Sequence, residues 1–125
     1  VIKKDTALIH IMLPDSTAFK ETTNPYKFAD TAIPLMVKEM IKNGSSKKNL
    51  VSKIAGGASM FKFSEKSINS DIGLRNIEAV KKALSKEGIK NIAEDVGGSK
   101  GRSIFVDAET GILTIRIVGE GIKEL

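Results

Sequence analysis

Glycine ends nearly every apolar run in this chain, and that punctuation limits it to short elements. From about Lys27 to Asn43 the apolar residues Ala29, Ile33, Met36, Val37, Met40 and Ile41 recur at helical spacing, and Gly44 supplies the stop. Leu50 to Ala55 reads as a strand that runs directly into Gly56-Gly57. Ile77, Val80 and Leu84 mark a second amphipathic helix, from about Gly73 to Lys86, closed by Gly88. Ile89 to Val96 reads as a further strand and ends at Gly97-Gly98. Ser103 to Val106 and Ile112 to Val118 alternate as strands do, around Asp107-Ala108-Glu109-Thr110-Gly111, which predicts an antiparallel hairpin with Gly111 at its left-handed position. No repeat, low-complexity tract or linker interrupts the pattern, so one α+β domain is expected over residues 1–125.

Two segments read less simply. Ala7 to Met12 is β-rich and is stopped by Pro14, which predicts a buried strand with Leu8, His10 and Met12 on one face. Pro34 falls inside the first helical pattern, where it kinks the helix or sits near its first turn, with Asp30 as a cap. Asp15 to Pro25 is polar and reads as an exposed loop.

Composition removes several classes of function. The 125 residues contain no Cys and one His, which excludes a disulfide scaffold, a thiolate zinc site and a cysteine nucleophile within them. Any Ser-His-Asp triad would have to be built on His10, and no cluster has metal-ligand spacing. No apolar run reaches the roughly 18–20 residues of a membrane span, so membrane insertion is not expected. The net charge is +5, from 20 Lys and Arg against 15 Asp and Glu. The cations form no run longer than the pairs Lys3–Lys4, Lys47–Lys48 and Lys81–Lys82, with acidic residues interspersed, 17 of the 20 are Lys, and aromatics are few, so nucleic acid is not an expected partner. A lysine-rich solvated surface, or a modest patch that attracts an acidic protein, fits better.

Three features could carry chemistry. His10 lies near a strand end beside the Pro14 loop, where catalytic groups are often held. Gly56, Gly57, Ala58, Ser59, Met60 and Phe61 follow a strand; the glycines allow close backbone approach to a ligand, and Met60 and Phe61 would form either core or an apolar tip. Gly97, Gly98 and Arg102 belong to a second glycine loop, readable as a phosphate loop or a plain turn, while Arg75 and Asn76 open the second helix and would structure a neighbouring loop or cap. Neither glycine loop has the spacing of a P-loop or dinucleotide fingerprint.

Read together, these segments resemble one family. His10-Ile11-Met12-Leu13-Pro14-Asp15-Ser16, Tyr26-Lys27-Phe28-Ala29-Asp30-Thr31-Ala32 and Lys53-Ile54-Ala55-Gly56-Gly57-Ala58-Ser59-Met60-Phe61 come first. Ile72-Gly73-Leu74-Arg75-Asn76, Glu94-Asp95-Val96-Gly97-Gly98 with Gly101-Arg102, and Glu109-Thr110-Gly111 follow in the same order. The chain resembles the chemoreceptor glutamine deamidases, CheD, from about Asp5 to Val118.

The resemblance implies a cytoplasmic protein with layered β-sheets flanked by two main helices, related to the cytotoxic necrotizing factor deamidases. It implies a cysteine–histidine hydrolase that converts glutamines of methyl-accepting chemoreceptors to glutamate, in some relatives also hydrolysing glutamyl methyl esters, without metal or cofactor. A CheC-type phosphatase is a further partner of some relatives. The family's catalytic histidine maps onto His10. Its cysteine, with an accompanying threonine, maps ahead of Val1, so the expectation is an N-terminally truncated domain that is inactive as it stands. The alternative is a non-catalytic module that docks on receptor helices or on the phosphatase through the Gly56–Phe61 loop.

Overall fold

A computed structural model describes residues 2–3, 6–18, 24–59 and 72–125. Two short strands, β1 (Ile2–Lys3) and β2 (Thr6–Ala7), pair antiparallel. Helix α1 (Ala29–Lys42) leads to strand β3 (Val51–Gly56), and helix α2 (Ile72–Lys86) leads to β4 (Lys90–Val96). β3 and β4 pair in parallel, with a register shift after Ser52. Strands β5 (Ser103–Val106), β6 (Leu113–Ile117) and β7 (Gly121–Glu124) form an antiparallel sheet in that order. Two helices with mixed parallel and antiparallel sheets make this an α+β fold.

The core lies where the helices meet the parallel pair. Ala29, Ala32, Ile33, Val37 and Met40 form the buried stripe of α1. Ile33 and Val37 pack with Ala83 and Leu84 of α2 and with Ile89, and Leu50, Ile54 and Val80 close the cluster. Side chains alternate across a strand, so Ile54 faces the helices while Lys53 faces away from them. Glu94 shares the helix side and meets Lys81 of α2 at 3.1 Å. On the opposite side Lys53 donates to the carbonyls of Gly111 (2.8 Å) and Leu125 (2.7 Å), which ties the parallel pair to the antiparallel sheet. Ile115, fully buried, and Leu113 fill the inner face of that sheet.

The hairpin between β5 and β6 forms as its sequence predicts. Asp107 Oδ1 accepts from the Glu109 and Thr110 amides, and Gly111, with φ +75°, donates to the Asp107 carbonyl. The sequence does not predict β7, since all four of its residues are exposed and carry no apolar alternation. It pairs with β6 from Thr114 to Ile117.

Two expectations need correction. The strand expected over Ala7–Met12 is confined to Thr6–Ala7. Residues 8–12 keep the alternation of an extended chain, with Leu8, His10 and Met12 exposed and Ile9 and Ile11 half-buried, but belong to no strand ladder. Asp30 is not the cap of α1. The cap position is Phe28, which contributes no side-chain bond. Asp30, inside the first turn, instead accepts from the Ser16 amide (3.0 Å) and hydroxyl (2.7 Å). Pro34 lies within α1 on its exposed side, where the missing N–H leaves a carbonyl open to water rather than to the core.

Candidate functional site

The segment that carries His10 is anchored at its far end. Both Met12 and Leu13 donate from their amides to the Lys27 carbonyl, at 2.9 and 3.0 Å, and the Ala29 amide donates to the Leu13 carbonyl at 3.0 Å. From the other side Asn76 of α2 donates through Nδ2 to the Met12 carbonyl at 3.1 Å. His10 is thereby exposed on a segment whose following residues are fixed to two helices. Arg75, next to Asn76, is exposed.

The two glycine loops emerge side by side from the ends of the parallel strands, and they are joined. Gly97 donates to the Gly56 carbonyl at 2.9 Å and Ser59 to the Gly98 carbonyl at 2.8 Å, which extends the ladder beyond the strands. Arg102 locks this pairing. Its guanidinium donates to the carbonyls of Gly97 (2.9 Å) and Gly56 (3.3 Å) and to Asp95 Oδ2 (3.1 Å), with a side chain only 7% exposed. These partners occupy the group that a phosphate-loop reading of Gly97–Arg102 would have needed for an anion. Arg102 is a clamp between loops.

Asp95, 14% exposed, also meets Lys123 of β7 at 3.0 Å. Burial raises its carboxyl, but hydrogen bonds from Lys123 and Arg102, together with their charges, outweigh that and hold it below the ordinary value of 3.8. A carboxyl depressed in the folded state contributes stability above its unfolded value, and that contribution is lost as pH falls through the folded one. Arg102→Met should lower stability by about 3 kcal/mol, because it leaves a mostly buried carboxylate with one exposed partner. It should also flatten the loss of stability below pH 3.8. Urea unfolding across pH measures both, and an unchanged midpoint would contradict the clamp.

The start of α2 joins the His10 segment to the first glycine loop. A Cβ on Gly57 would lie 2.4 Å from Ile77 Cγ1, and one on Gly73 would lie 2.5 Å from the Gly57 carbonyl oxygen. Gly57, at φ +69°, therefore meets the two conditions that only glycine tolerates, a left-handed backbone and a close approach. Within five residues α2 contacts the Gly57–Ala58 backbone through Gly73 and the Met12 carbonyl through Asn76. Met60 and Phe61 lie outside the described residues, so only Gly56 to Ser59 of the expected docking loop can be followed.

Sequence reasoning did not single out the role of Lys53, which reads as an ordinary strand residue, or of Asp95 as the partner of Arg102. Their contacts span 58 and 7 residues of chain and have no local pattern. Among the described residues no group of three or more His, Cys, Asp or Glu could hold a metal ion, and no helix is long and apolar enough to cross a membrane. The chemistry the arrangement offers is an exposed imidazole on an anchored segment, which the start of α2 connects to a clamped pair of glycine loops.

Comparison with known proteins gives this arrangement a context. The sequence model described as CheD chemotactic sensory transduction matches residues 12–117. A protein of Clostridium botulinum (strain Eklund 17B / Type B), named Probable chemoreceptor glutamine deamidase CheD, is 63% identical over 122 residues, which cover 98% of this chain and 75% of that protein. Proteins of the same name from Clostridium novyi (strain NT) and Clostridium kluyveri are each 54% identical over 124 residues, 99% of this chain and 76% of theirs.

Proposed function

The chain belongs to the CheD family, and from that premise we propose that the protein is a chemoreceptor glutamine deamidase in which His10 transfers the protons. The observation that carries this reading is the 63% identity, over 98% of the chain, to a protein named for that activity. The 125 residues hold no cysteine, and they cover 75% of that relative. The reading assigns the nucleophile to a cysteine ahead of Val1.

The chemistry follows from the carboxamide. The thiolate adds to the side-chain carbonyl carbon of a receptor glutamine, and backbone donors stabilise the oxyanion. The His10 imidazolium protonates the departing ammonia, which leaves a thioester on the cysteine. Neutral His10 then takes a proton from water, hydroxide adds to the thioester carbon, and the thiolate leaves to give glutamate. Each proton lost by His10 in the first half is regained in the second, and no cofactor takes part. The same cycle accepts a glutamyl methyl ester, with methanol as the first leaving group.

The acidic helices of a methyl-accepting chemoreceptor suit a chain of net charge +5, and the Gly56–Phe61 loop is the surface assigned to them. A CheC-type phosphatase competing for that loop is the finer form of the proposal, with the cytoplasm as its setting. The test is ammonia release, with mass spectrometry of the product, when the complete protein is incubated with a receptor cytoplasmic fragment. Conversion of specific glutamines to glutamate is the expected result. Binding without turnover would make the protein a docking module and overturn the enzymatic reading.

A further inference from the structure

Asn76 stands on the second turn of α2, and its two amide atoms have opposite fates. Nδ2 donates to the Met12 carbonyl at 3.1 Å, while Oδ1 is buried with no hydrogen-bond partner among the described residues. An unpaired buried acceptor costs free energy that an apolar side chain of similar shape would not. Packing alone therefore gives no reason for a carboxamide here, and the donor to Met12 is what remains to account for it. We propose that Asn76 is a positioning residue for His10, acting through the Met12 carbonyl; the inference rests on the reading of His10 as the proton-transfer group.

The backbone around His10 shows why such a hold matters. Residues 9–12 lie outside the strands, so the orientation of this stretch depends on the bonds made to it rather than on a ladder. On one side the Lys27 carbonyl takes the Met12 amide; on the other Asn76 takes hold of the Met12 carbonyl. Among the described residues Asn76 is the side chain that bonds the backbone between His10 and Leu13. His10 precedes Met12 by two residues of extended chain and projects from the same face. Rotation of the Met12 peptide swings the imidazole with it. Proton transfer to a leaving group tolerates little such displacement.

The experiment compares the complete protein with Asn76→Ala and Asn76→Asp, using ammonia release from a receptor fragment. The Asp variant keeps the shape but, once ionised, can no longer donate. Both variants should lower kcat roughly ten- to hundred-fold, as misplacement of a catalytic group does, with KM within about twofold because receptor contacts are unaltered. The His10 ring signals in NMR spectra should shift in both. Ala83→Gly, a core change in the same helix, should leave kcat and those signals unchanged at a temperature where it is folded. Should Asn76→Ala fail to fold, the isosteric variant carries the test. An inactive parent protein overturns the deamidase reading, and this one with it. An active parent whose Asn76→Asp variant keeps its kcat and its His10 signals overturns this proposal alone.

Discussion

In the complete protein, His10→Ala is expected to lower ammonia release from a receptor fragment by roughly 10²- to 10⁴-fold, the range attributed to a positioned acid–base group. The loss should fall on kcat, because the imidazole acts on the departing ammonia and the incoming water rather than on the docking of the receptor. Stability should scarcely change. His10 is exposed on the outer side of residues 8–12, and a surface substitution of that kind stays within about 0.5 kcal/mol. Thermal unfolding and receptor binding, measured beside turnover, separate the two effects. A variant that keeps the parent's turnover would remove His10 from the mechanism, and one that unfolds would make it a structural residue.

The separation between those effects reflects what a sequence can display. α2, β3, β4 and the β5–β6 hairpin were legible because periodicity and glycine stops agree, and each boundary fell within a residue or two. The alternation over residues 8–12 was also legible, and it correctly put Leu8, His10 and Met12 on one face. What it could not supply was a ladder partner, since pairing is a property of two segments and alternation is a property of one. β7 left no trace for the converse reason, being held by β6 while its own residues stay in water. The contacts that organise the site were the least legible. Arg102 looked like a cation on a flexible turn, yet its donors are aimed at the Gly56 and Gly97 carbonyls and at Asp95. The glycines there were visible as residues, and the reason for them was not: a backbone carbonyl approaching from a distant segment.

Gly73→Ala makes that hidden approach measurable, because local propensity and tertiary packing predict opposite signs. In an exposed helix interior the change would stabilise by about 1 kcal/mol. Here a Cβ would lie 2.5 Å from the Gly57 oxygen, 2.7 Å from the Ala58 oxygen and 2.8 Å from the Gly57 carbonyl carbon. All three atoms are backbone, so no side chain can turn aside, and α2 must move away from the loop. The net effect should be a loss of about 2 kcal/mol or more, as for other overpacked contacts, which lowers Tm by roughly 5–10 °C in a domain of this size. Gly88 offers the contrast. A Cβ there meets nothing within 4 Å, and φ +71° is its only constraint, so Gly88→Ala should cost only the roughly 1–2 kcal/mol of a left-handed alanine. The two variants also divide in function. A displaced α2 carries Asn76 with it and loosens its hold on Met12, so Gly73→Ala should reduce turnover even at temperatures where it is fully folded, and Gly88→Ala should not. A Gly73→Ala protein with an unchanged or higher Tm would mean that the loop yields freely, and that the joint between α2 and the first glycine loop does not set the geometry of the site.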